Sequence, residues 1–124
     1  MNVEFKKLDR KYTGYLTLKA EIERHQGVAD ALGRVSAKSP LVEAHERETI
    51  GRIAKLETER AALAGEMAAE FTQIEDPRLQ CVLTMRYMEG LRWREIANRM
   101  RYSVSHVKRL RNDALKEILK NFKR

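Results

Sequence analysis

Between Trp93 and Ile118 the apolar residues keep helical spacing on both sides of a short break, and that break constrains the fold more than any other feature. Trp93, Ile96, Ala97 and Met100 stand at i, i+3, i+4 and i+7, the footprint of a short helix packed on a core. After Arg101-Tyr102-Ser103 the stripe restarts with Val104, Val107, Leu110, Ala114, Leu115 and Ile118. Ser103 is placed to cap the new helix by accepting a backbone N–H. A short helix, a three-residue turn and a longer basic helix make a helix-turn-helix pattern. In it the first helix braces across a DNA backbone and the second enters the major groove.

Residues taken at 100° steps along the second helix separate its faces. Ser105, Arg109, Asn112 and Lys116 fall on one line opposite the apolar stripe, with His106 and Asp113 on one flank and Lys108 on the other. Arg109 suits bidentate pairing with guanine and Asn112 with adenine, while Ser105 and His106 lie in the first turn, nearest the groove floor. These four are the candidate base readers. Arg92, Arg94, Arg99, Arg101, Lys108 and Lys116 are the candidate phosphate contacts, which position a protein without reading sequence. With five or six engaged, log K falls with log salt at a slope of roughly −4 to −6. Arg111 lies close to the apolar stripe and is assigned no base.

The charge is distributed to match. Residues 77–124 hold 13 Lys and Arg against 4 Asp and Glu, whereas residues 1–76 hold 12 against 14. A basic module joined to a near-neutral arm points to a polyanionic partner, double-stranded DNA before an anionic membrane surface. Only two prolines and six glycines interrupt the 124 residues, and no strand-like run occurs, so the expected fold class is all-α. In the arm, Phe5, Leu8, Tyr12, Tyr15 and Ile22 recur at mostly three- and four-residue steps and predict a helix from about Val3 to Ala31. The stretch 33–40, "GRVSAKSP", breaks it. A second helix is expected from Pro40 to about Ile74, where Ile53, Leu56, Leu63, Met67 and Ile74 occupy heptad a and d positions, with Arg60 and Glu70 interrupting the seam.

The arm is therefore expected to be a long, coiled-coil-like helical hairpin over residues 1–75, serving oligomerisation. Asp76 as N-cap and Pro77 at the first helical position open the DNA-binding domain, residues 76–124, whose first helix runs to about Met88 and stops at a left-handed Gly90.

Other chemistry finds no foothold. "AHERE" begins like a zinc-binding HExxH, but the second histidine is missing at the required spacing. No Cys-His set, phosphate-cradling glycine loop or Ser-His-Asp grouping can be assembled, so neither enzyme activity, metal nor cofactor is expected. Cys81, the single cysteine, excludes an intrachain disulfide and is expected to be buried in the apolar run "LQCVLTMRY". Without a signal-peptide core or a long uncharged apolar stretch, a soluble, cytoplasmic protein is expected.

The stretch "LTMRYMEGLRWREIANRMRYSVSHVKRLRNDALKEI" resembles region four of bacterial sigma factors. The matching elements are Arg86-Tyr87, Gly90, Glu95-Ile96-Ala97, Ser103, Val107 and Ala114-Leu115. With Trp93 before "REIA" and Tyr102-Ser103 in the turn, it is similar to the small region-four-like proteins of phages and integrated elements, such as the ArpU- and RinA-type late-gene transcription regulators. The resemblance implies a sequence-specific DNA-binding regulator, nucleoid-associated in a bacterial host cell, whose positions Ser105, His106, Lys108 and Arg109 face DNA, with RNA polymerase as a second partner. Arg101 departs from the pattern, which usually has Gly there, so its backbone is expected to be strained or the turn built differently.

Within the module Trp93 is expected to anchor the core, Tyr102 to pack or touch a phosphate, and Glu95 to pair with nearby charge. The leading expectation is a homodimeric transcription regulator. A DNA-packaging recognition subunit and an adaptor for polymerase or sigma, with weak DNA affinity, are the alternatives.

Overall fold

The computed structural model describes residues 2–123, and among them it contains helices and no strand. Five α-helices follow in order: α1 (Val3–Gly33), α2 (Pro40–Thr72), α3 (Pro77–Leu83), α4 (Trp93–Met100) and α5 (Val104–Phe122). The all-α architecture with two long N-terminal helices and a C-terminal helix-turn-helix is as the sequence predicts. The helices packed together form two compact units, which do not divide at residue 75. The segments through Leu16 and from Ala64 belong with the C-terminal helices, and Thr17–Leu63 forms the other unit.

Each long helix starts on a side-chain cap. Asn2 Oδ1 accepts from the Phe5 N–H at 2.8 Å, and Ser39 Oγ accepts from the Val42 N–H at 3.3 Å, with Pro40 at the first helical position. In the Thr17–Leu63 unit, Ile22 and Leu56 are buried, Lys38 pairs with Glu46 at 2.7 Å, and Thr49 Oγ1 donates to the His45 carbonyl. Val28, Val35, Leu41 and Ile50 stay exposed.

In the other unit Tyr12 is the hub. Its ring meets Phe71 edge-on at 5.0 Å and Tyr87 at 5.3 Å, and its hydroxyl reaches Glu70 at 3.4 Å. Glu70 occupies a heptad seam position, and it is buried because Lys11 Nζ bonds both its oxygens at 3.0 and 3.1 Å. A buried carboxylate without such a partner would be costly. Burial works against the Lys11 charge, but the bonds to Glu70 and Glu66 outweigh it and raise its pKa.

The module beyond residue 75 opens as its sequence dictates. Asp76 Oδ1 accepts from the Arg78 N–H at 2.9 Å and Pro77 follows the cap. Leu79, Val82 and Leu83 face inward. Cys81 does not: it is exposed, contrary to expectation. It faces outward with Arg78 of α3 and with Thr84 just beyond the helix, three residues to either side.

Beyond Leu83 the helix widens into one turn of π-helix, Thr84–Met88, closed by the Glu89 N–H bonding to the Thr84 carbonyl at 3.0 Å. This turn swings Tyr87 into the core. Gly90 then takes φ +72°, and a Cβ there would sit 3.3 Å from Leu16, so the site needs glycine for both conformation and space. The core behind the helix-turn-helix comprises Ile96, Ala97, Val107, Leu110, Ala114, Leu115 and Ile118. Each large apolar member contributes about 1.5–3 kcal/mol by leaving water. Val104 lies outside this stripe, exposed at the start of α5.

Candidate nucleic-acid interface

The turn between α4 and α5 is set by two caps and one left-handed residue. Before α4, Glu95 Oε1 accepts from the Arg92 N–H at 3.1 Å. Glu95 is thus a backbone cap, a local role its charge alone did not suggest. After α4, Arg101 adopts φ 60° and ψ 41°, the sole non-glycine residue with positive φ among those described. Its place in the turn is the one glycine usually takes, and the turn keeps its shape with arginine in it. The next amide, Tyr102 N–H, bonds back to the Ala97 carbonyl at 3.0 Å. Ser103 Oγ then accepts from the His106 N–H at 3.1 Å and starts α5.

Along α5 the structure leaves Ser105, Arg109, Asn112 and Lys116 exposed, with buried Val107, Leu110, Ala114 and Leu115 on the opposite side. His106 is half-buried, its ring against Tyr102 at a centroid distance of 4.2 Å. Tyr102 therefore packs on a candidate base reader. Arg92, Arg94, Arg99, Arg101 and Lys108 are exposed as well.

One cation on this surface was not read from the sequence. Arg78, at the start of α3, joins His106, Arg109, Leu110, Asn112 and Asp113 in lining an open groove of about 470 Å³. Its Nη2 meets Asp76 Oδ2 at 2.9 Å. Hydrogen bonding from Arg78 holds the Asp76 carboxyl below the usual carboxylate range, and the same bond, with one to Tyr102, raises Arg78. The signal available in sequence was only the residue after "DP", with nothing to bring it beside α5.

Trp93 is half-buried, and two cations lie over its ring. Arg86 lies over it at 4.3 Å and Arg111 at 4.8 Å. Arg111 also approaches Asp9 Oδ1 at 3.6 Å and the Tyr87 hydroxyl at 3.5 Å. Tyr87 in turn donates to Asp9 Oδ1 at 2.5 Å. Burial first, and then this bond, raise the Tyr87 pKa well above that of free tyrosine. The first turns of α1 thereby touch the helix that carries the polar line.

Among the described residues no helix is long and apolar enough to cross a membrane, and no cluster of His, Cys, Asp and Glu of metal-binding size occurs. No curated protein and no solved structure matches the chain. Residues 76–119 match the family model for sigma-70, region 4, and this part of the chain is a sigma region-four-like helix-turn-helix domain.

Proposed function

We propose that the protein is a sequence-specific DNA-binding transcription regulator of phage type, acting by binding and not by catalysis. The carrying observation is the exposed line Ser105, Arg109, Asn112 and Lys116 on α5, in a segment that matches sigma region 4 and holds most of the excess positive charge. α5 enters the major groove, α4 braces across the backbone, and Arg92, Arg94, Arg99, Arg101 and Lys108 meet phosphates. Arg78 joins them from α3, because it lines the same groove as Arg109 and His106. RNA polymerase is the second partner, a reading supported by the region-four match alone.

The protein acts as a dimer joined through the N-terminal hairpin. Thr17–Leu63 carries 8 Lys and Arg and 8 Asp and Glu, so no net charge opposes a second copy there. Val28, Val35, Leu41 and Ile50 leave apolar surface on that unit for it to cover.

Selection from a random duplex pool at near-physiological salt tests the reading. The expected product is a two-part motif with halves about 10 base pairs apart. Arg109→Ala should abolish specific binding, whereas Lys108→Ala should weaken all sequences alike and flatten the salt slope by about one. If no motif is enriched and binding vanishes with salt, the proposal falls and an adaptor for polymerase or sigma replaces it. A ring-shaped assembly in place of a dimer would favour a DNA-packaging subunit.

A further inference from the structure

Arg111 is enclosed on a helix whose other cations, Lys108, Arg109, Lys116 and Lys120, are exposed; its side chain keeps only 14% of its surface. Three groups fix its guanidinium. Trp93 lies under it at 4.8 Å, Asp9 Oδ1 is 3.6 Å from Nη1, and the Tyr87 hydroxyl is 3.5 Å from the same nitrogen. Asp9 and Tyr87 are themselves joined at 2.5 Å, so the two act on Nη1 as one anchor. Nε donates to Asn112 Oδ1 at 2.8 Å.

That bond decides which way the Asn112 amide faces. A guanidinium has donors and no acceptor, so the Asn112 atom that meets it is the carbonyl oxygen. That bond takes one of the oxygen's two lone pairs and fixes the direction of the other, so the oxygen is less available to a base amino group. The amino group of Asn112, with two hydrogens, is the part left to present.

We propose that Arg111 is a positioning residue that turns the amino group of Asn112 toward the bases, so that this position favours guanine over adenine. The inference rests on the reading of α5 as the recognition helix. Adenine shows the major groove one acceptor, N7, and one donor, the N6 amino group, and its pairing with asparagine uses both halves of the amide. Guanine shows two acceptors, N7 and O6, which match two N–H donors. Asn112 taken as a residue type points to adenine; Asn112 held by Arg111 points to guanine.

Duplex selection with the full chain tests this on wild type, Asn112→Ala and Arg111→Met. The base pair that loses its preference in Asn112→Ala is the one Asn112 reads. It should be guanine in the wild type and shift toward adenine by about tenfold in Arg111→Met, where the amide oxygen is released. Adenine at that pair in the wild type, or a preference that Arg111→Met leaves unchanged, overturns the inference.

The free protein provides a second measurement that needs neither DNA nor the Arg111 variant. In wild type the Arg111 Nε–H should exchange with water slowly, and Asn112→Ala should speed it by about tenfold, the loss of one hydrogen bond. No acceleration overturns the inference. If the wild type enriches no motif while the Nε–H proves protected, the DNA-reading assignment has failed and the side-chain geometry has not.

Discussion

Arg101 separates two effects that most substitutions at a DNA surface confound. Its φ of 60° places an L side chain in the left-handed region, at a cost of about 1–2 kcal/mol compared with a right-handed residue. Glycine escapes that cost but loses about 0.5–1 kcal/mol more chain entropy on folding. Arg101→Gly should therefore stabilise the protein by about 0.5–1 kcal/mol. Arg101→Ala keeps the Cβ and the strain and should be close to neutral. Because the side chain is exposed, its removal should disturb no core contact. On DNA the two variants should behave alike: both lose one cation, and both salt slopes should fall by about one. Thermal unfolding of wild type, Gly and Ala side by side should place the glycine variant a few degrees, about 2–5 °C, above the other two. If glycine is no more stable than alanine, the strain assigned to this turn is absent. If the two differ in DNA affinity, the turn's shape and not the guanidinium matters to binding.

Gly90→Ala combines φ +72° with a 3.3 Å approach to Leu16 and should cost about 1–3 kcal/mol in urea unfolding. Tyr87 is held neutral, its folded pKa above the unfolded value near 10, so its contribution is complete below about pH 10 and is lost as pH rises through the folded value. Tyr87→Phe should flatten that alkaline limb, while removing about 1 kcal/mol at neutral pH with the bond to Asp9. Asp76 has the opposite sign. Its pKa is held low by Arg78, so its contribution is present above about pH 4 and is lost on acidification. Asp76→Asn keeps the cap and should remove that acid dependence in a pH series of melting curves. Arg78→Ala should leave the selected motif unchanged and reduce the salt slope by about one; a changed motif would make Arg78 a base reader.

Local signals were legible in the sequence wherever the chemistry was also local. Asp76-Pro77, Gly90 and Ser103 are read from residue type and position because caps and left-handed residues depend on neighbours within four places. The strain at Arg101 was foreseeable for the same reason. The polar line on α5 follows from a regular helix. Where regularity ends, so does the reading. The π turn at Thr84–Met88 inserts about one residue into the helical count, and a wheel drawn through it loses its phase by about 100°. Cys81 departs for a different reason: an apolar run suggests one buried block, although even there the helical period sends every third or fourth residue outward.

Arg111 shows why distant pairs could not be read at all. Asp9 and Tyr87 are 78 positions apart, and their meeting depends on how the start of α1 packs beside the π turn. In sequence, Arg111 is one more cation in a basic helix, and Asp9 one more charge in a mixed arm. Their pairing gives the N-terminal segment a consequence at the polar line of α5 that shared core packing alone would not. Tyr12 contributes burial against Phe71 and Tyr87, which stabilises the unit without orienting any polar group on α5. Asp9 is only half-buried, but it pairs with the guanidinium whose Nε holds Asn112. Loss of Tyr12 should therefore appear in stability with the motif retained, and loss of Asp9 in the motif with most of the stability retained. The two substitutions distinguish an arm that only supports the DNA module from one that also tunes what it reads.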